Sequence, residues 1–184
     1  MSIPVASTYE GNLIGSDDGV SAVYVTLPGS ARIGGALNST ATETKLRGWW
    51  VSNAANKYNA HQGHCAWDLS GVGISAVERV ELSGSLSRGS GSGTRGLHLY
   101  ASPWTSGTLM VSSDWIIKET AAYYGQTTEL SAWGTSPSEV VVLDAVAQVN
   151  AALAAGTLFS VAAMHNGADD ELTLGPSETD NIQL

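Results

Sequence analysis

The sequence predicts an all-β chain folded as an antiparallel β-sandwich of the jelly-roll kind, with one short α-helix near residues 145–155. Three observations point there. Short runs alternate apolar and polar residues, as at 20–27, 77–87 and 97–101, with Gly, Pro and Ser turns between them. Strand and helix patterns do not alternate along the chain, which argues against a parallel sheet. Late in the chain, a β-branched run at 140–143 passes into a helical pattern and then back into a strand. The 184 residues fit one domain, with residues 1–19 as an N-terminal arm and 20–184 as the sandwich.

Taken in order, residues 1–19 are polar and weakly periodic, an arm or edge segment that needs another surface to order it. Residues 20–27 set Val23, Val25 and Leu27 against Ala22, Tyr24 and Thr26, the pattern of a strand, and Pro28-Gly29 turns the chain. A weaker strand is expected at 32–37. Residues 45–52 carry Trp49 and Trp50 in succession, which a strand sends to opposite faces. Residues 53–63 read as a long polar loop, and 65–69 as a strand. Val80, Leu82, Gly84 and Leu86 alternate with Glu81, Ser83, Ser85 and Ser87, as in a sheet with one wet face. A Gly/Ser tip spans 88–96, and the returning strand at 97–101 turns Leu97, Leu99 and Ala101 inward and His98 and Tyr100 outward.

Residues 109–111 begin another short strand, and Gly125, Gly134 and Pro137 divide 115–133 into short strands and loops. Beyond 140–143, Asp144 has the chemistry of a helix N-cap, 145–155 is rich in helix formers, and Gly156 supplies the stop. Residues 158–165 are a strand, 166–171 a polar turn, and a last short strand follows.

Composition excludes several classes of partner. A net charge of -9 with only 8 Lys plus Arg leaves no basic footprint for nucleic acid or anionic lipid. Charged residues make up 14% of the chain, so its surface is hydroxyl-rich. The first twenty residues have neither a basic start nor an apolar run of signal-peptide length, and no stretch reaches membrane-spanning length. The expected place of synthesis is therefore a cytoplasm, without a cleaved leader. The single cysteine, Cys65, forms no intramolecular disulfide and reads as a small buried residue.

Three passages resemble the DNRLRE-type jelly-roll modules related to carbohydrate-binding modules, over roughly residues 65–184. Cys65-Ala66-Trp67-Asp68-Leu69-Ser70, followed by 74–82, is similar to the family's Phe-Asp-Leu-Ser passage. Leu97-His98-Leu99-Tyr100 is similar to its Leu-Arg-Leu-Tyr strand, and 142–156 with 158–164 to its strand, short helix and strand. Ser177-Glu178 sits where such modules place a Ser-Glu turn. The resemblance implies a jelly roll that can bind glycans. These modules usually stand behind a signal peptide in a long polypeptide, so secretion is not carried over. In size and style the chain also resembles a tailed-phage virion component, which implies a structural protein on the virion surface, on head or tail, bound to other virion proteins or to copies of itself.

Each candidate site has a plainer structural explanation beside it. Trp104, after Pro103, and Tyr123 or Tyr124 are the aromatic residues expected at the surface, where rings can stack on sugars; most of the other indoles should fill a core that has just one Phe. His61, His64 and Cys65 offer zinc-ligand chemistry without a closed set of four. Asp169-Asp170-Glu171 and Asp17-Asp18 offer calcium oxygens but read better as solvated turns, so no cofactor is expected. Asp68, Asp114, Asp144, Glu119 and Glu129 form no paired-carboxylate motif, and no enzymatic activity is expected.

Overall fold

The computed structural model describes residues 5, 8–17, 32–34, 47–53, 57–90, 94, 96–104, 114, 116, 120–130, 138–165 and 179–183. In chain order the strands are β1 (Tyr9–Asp17), β2 (Arg32–Gly34), β3 (Arg47–Asn53), β4 (Lys57–Asp68), β5 (Glu81–Ser85), β6 (Ser87–Ser90), β7 (Leu97–Ala101), β8 (Tyr123–Gln126) and β9 (Ser138–Val142). Helix α1 (Val146–Ala155), β10 (Leu158–His165) and β11 (Thr179–Gln183) follow. Among the described residues all strand pairs are antiparallel and a single short helix is present, an all-β arrangement.

The long sheet runs β6-β11-β3-β4-β10-β7-β8, with β1 also paired to β4 and β2 to β1. Its organising strand is β4. One edge pairs with β1, from Tyr58 opposite Asp17 to Ala66 opposite Tyr9. The other edge is divided: β3 takes it up to Gln62, opposite Gly48, and β10 from Gly63, opposite Ala163. The expected loop at 53–63 is therefore largely strand. Its polar side chains suggested a loop, but pairing uses the backbone, and β4 has partners on both edges. The N-terminal arm is likewise a strand from Tyr9 to Asp17, ordered by β4 of its own chain.

β4, β10 and β7 are covered on both faces. On the first face Cys65, Leu97, Leu99, Phe159, Val161 and Ala163 join Val141, Leu143, Ala145, Val149 and Ala152 in one core. Each large aliphatic group buried there contributes about 1.5–3 kcal/mol relative to exposure. The cover on this side is α1 together with the separate two-stranded ribbon of β5 and β9. Burial on two faces is why β10 reads as a nearly continuous apolar run.

Helix α1 begins one residue later than its expected cap permits. Ala145 is the N-cap residue, no side chain caps the helix, and Asp144 is exposed, donating its N–H to the Tyr124 carbonyl at 2.8 Å. The cap expected at Asp144 is thus corrected. Gly156 does end the helix, at φ 62°, in the left-handed conformation that glycine adopts without a Cβ penalty. Asn150 on α1 accepts the Val77 N–H at 2.7 Å and donates to the Val77 carbonyl at 3.0 Å, fastening the 69–80 connection to the helix.

The pairing of β7 with β8 shifts register between Leu99–Gly125 and Tyr100–Tyr123, leaving Tyr124 as the extra residue of a β-bulge. Gly125 permits it, at φ 147° with the Val142 carbonyl 3.3 Å from where a Cβ would stand. The expected strands at 20–27 and 109–111 lie outside the described residues, as does the turn at 166–171. Strands at 32–34, 97–101 and 158–165, and the last strand at 179–183, occur where the sequence puts them; the rest of the strand expected at 32–37 lies outside the described residues.

Two substitutions separate these local assignments. Gly125→Ala is expected to lower stability by about 1–3 kcal/mol, because alanine is strained at that φ. Asp144→Ala is expected to change it by no more than about 0.5 kcal/mol, as for an exposed residue with no capping bond. Urea denaturation of the two variants measures both.

Candidate functional site

The second face of the long sheet carries the chemistry. Residues alternate along a strand, so Gln62, His64 and Ala66 of β4 lie on the side opposite Cys65, with Ser160, Ala162 and Met164 of β10 and His98 and Tyr100 of β7. Gln62, His64 and Ala162 are fully buried. The register runs from His64 to Ala162, Tyr100 and Tyr123 across β4, β10, β7 and β8. This row grades from a dry interior to a wet rim.

Trp104 and Ile116 complete the dry end. Gln62 donates its amide to the Ile116 carbonyl at 2.8 Å and accepts the Ile116 N–H at 2.9 Å, so one side chain satisfies both backbone groups. The Ser160 hydroxyl donates to the Trp104 carbonyl at 2.6 Å, and the Trp104 N–H donates to Ser102 Oγ at 3.1 Å. Ser102 Oγ also lies 2.8 Å from His64 Nδ1. His64 Nε2 is buried without a hydrogen-bond partner.

That Ser–His pair is not arranged as a nucleophile and base. Burial holds the imidazole down to about 3 from its ordinary 6.5. A general base works best with a pKa near the operating pH. No group orients His64 from Nε2, and Ser102 Oγ already accepts the Trp104 N–H. What the arrangement does is hold the backbone of the 102–104 turn against the sheet.

At the wet end His98, Tyr100 and Tyr123 form a mutual edge-on cluster, with ring centroids 5.4–6.4 Å apart. Tyr123 is 47% exposed, and its hydroxyl donates to Gln126 Oε1 at 3.1 Å. Partial burial pushes the Tyr123 phenol upward, so it remains a neutral donor through the physiological range. An exposed ring beside an amide can stack on an apolar ligand face while satisfying a neighbouring hydroxyl.

Of Trp104 and one of the Tyr123/Tyr124 pair, the aromatic residues expected at the surface, only the tyrosine is there. Tyr123 is exposed. Tyr124 is buried and stacks on Phe159 at 6.0 Å, because the bulge turns it toward the core. Trp104 is only 1% exposed, which overturns its expected place at the surface: the turn following Pro103 folds back onto the sheet, where Ser160 and Ser102 hold its backbone. His98 and Tyr100 belong to the cluster although sequence reasoning did not single them out. Their outward alternation on β7 was the available signal.

The suggested zinc ligands do not converge. His64 and Cys65 are adjacent strand residues, so their side chains go to opposite faces of the sheet. Asp18 and the 169–171 acidic turn lie outside the described residues, and among the described residues no group of three or more His, Cys, Asp or Glu side chains is placed to hold a metal. Among the described residues, no helix is long and apolar enough to cross a membrane. Compared with known proteins, the chain matches no family model and no curated protein.

The amide clamp is directly testable. Gln62→Ala leaves the buried N–H and carbonyl of Ile116 unmatched and is expected to cost about 2–5 kcal/mol. The shift in urea midpoint, at unchanged denaturant slope, reads it out.

Proposed function

We propose that the chain is a structural subunit of a phage virion surface, a β-sandwich of jelly-roll type that associates with copies of itself or with neighbouring virion proteins of the head or tail. The observation that carries this reading is the outer side of the β5–β9 ribbon. Val140 and Val142 are 58% and 52% exposed there. Among the described residues β5 and β9 pair only with each other. Two exposed β-branched side chains on one face of a two-stranded ribbon are suited to cover by another subunit. The low charge and acidic balance of the chain fit packing into an assembly without nucleic acid contact. Antiparallel pairing throughout, with the ribbon and α1 over one face of the long sheet, supports the sandwich, as does the resemblance to the DNRLRE-type modules.

A second reading, glycan binding at the rim of the second face, is favoured by the His98, Tyr100 and Tyr123 cluster with Gln126 beside it. The two readings use different surfaces. Sedimentation should reveal an oligomer, or stoichiometric binding to virus particles stripped of surface proteins, and Val140→Lys with Val142→Lys should weaken that association roughly tenfold or more without changing the circular dichroism. A stable monomer that binds no particle would sink the assembly reading. Glycan-array binding abolished by Tyr123→Ala, and untouched by the valine substitutions, would establish the second reading instead.

A further inference from the structure

One buried polar atom on the second face is left unsatisfied. His64 is fully buried, and its Nε2 has no hydrogen-bond partner. Its register neighbours are Gly11 on β1 and Ala162 on β10, so the sheet offers it no polar side chain from either side. Its one bond is to Ser102 Oγ, the atom that also receives the Trp104 N–H. The imidazole and the turn carrying Trp104 are therefore joined through a single hydroxyl.

We infer that His64 is an acid-sensitive latch: protonation of its imidazole undocks the 102–104 turn and brings Trp104 out of the interior while the strands of the long sheet stay paired. The inference rests on this geometry and is independent of the assembly and glycan readings.

An imidazolium carries a hydrogen on each nitrogen, and a buried cation needs an anion or water. Among the residues whose side chains are described, the titratable groups on this face are Tyr100 and His98 on β7, Tyr123 on β8 and Asp68 at the end of β4. Asp68 is the one carboxylate among them; it is exposed, lies two same-face positions along β4 from His64 and accepts the Ser70 N–H at 2.9 Å, so it does not reach the buried imidazole. Asp114, two residues before Ile116, is partly exposed, and neither imidazole nitrogen bonds to it. Among the described residues no carboxylate bonds the imidazole, so the cation is relieved by reaching water.

The weaker side of the contact is the one that yields. β4 and β10 are held by continuous ladders, including six paired positions between them. The backbone of the turn meets the sheet through the two serine hydroxyls and the Ser102 N–H on the Ser160 carbonyl at 3.3 Å, with no ladder of its own there. Each such neutral bond is weak net of the water contacts it replaces.

The sign of the pH dependence follows. Burial depresses the pKa of a base, so the open form binds the proton more readily than the closed form. The closed state keeps its full stability above about 6.5 and loses it progressively toward about 3. Between pH 7 and pH 5 the open-to-closed ratio is expected to rise ~25-fold.

Fluorine NMR of protein labelled with 5-fluorotryptophan tests this, with the Trp104 resonance assigned from Trp104→Phe. In the wild type that resonance should move to a solvent-exposed shift, sensitive to H2O/D2O exchange, as pH falls from 7 to 4, while the strand circular dichroism is retained. In His64→Asn, which cannot titrate, it should stay in place. An equal movement in the variant overturns the latch, and so does a wild-type resonance that moves only when the strand signal is lost. Should His64→Asn fail to fold, the wild type decides through nitrogen-15 chemical shifts of its histidine rings. His64 must gain its proton in the same step that moves Trp104; a Trp104 movement with His64 still neutral overturns the proposal.

Discussion

Strand β4 has to be satisfied on two edges and two faces at once, and the rest of the architecture follows from how this is done. One edge takes β1, and the other is handed from β3 to β10 between Gln62 and Gly63. The first face is apolar and is covered by α1 and the small ribbon. The second presents Gln62 and His64, which a sheet with one wet face would leave in water. Here that face is covered as well, and polar groups without water need partners of fixed geometry. Gln62 finds them in both backbone groups of Ile116, as Asn150 does in those of Val77. A planar amide can imitate one rung of a strand ladder, and the fold uses it to dock irregular chain onto regular elements.

The parts of this fold legible in the sequence are those where side-chain pattern and burial agree. Residues 97–101 and 158–165 alternate or run apolar and are strands at those bounds. Gly156 marked the end of α1 because a left-handed residue there has a specific chemical solution. What was hidden depends on backbone partners far along the chain. Residues 57–62 are polar apart from Ala60, and their strand character comes from β1 and β3. Asp144 has a capping side chain but lies one residue too early, because Ala145 is drawn into the core.

The candidate site was legible in the same uneven way. Tyr123 and Tyr124 were indistinguishable as neighbours, since an ordinary strand only says that one faces each way. The bulge at Gly125 decides which, and it depends on a backbone angle that residue identity permits but does not impose. Trp104 looked exposed because it follows Pro103 in a turn. Its burial is set by Ser102 and by Ser160, more than fifty residues later, neither of which signals a tryptophan. The second face thus joins a sealed polar interior to an open aromatic rim along one register row, while the valine-bearing ribbon belongs to the other side of the sheet. The exposed valines and the aromatic rim are therefore separate surfaces of one molecule.

The pairing of β11 with β3 carries a consequence for how the chain acquires its structure. Thr179–Gln183 lies against Arg47–Val51, so strands separated by most of the sequence must meet, and β11 also carries β6 at the end of the sheet. Closing so large a loop is entropically slow, and a sheet rich in distant pairings folds late compared with one built from hairpins. Until residues 179–183 have left the ribosome, β3 presents an unfilled edge to whatever strand is near. A second nascent copy offers the same complementary segment, which makes exchange of β11 between chains the characteristic misfolding hazard of this topology.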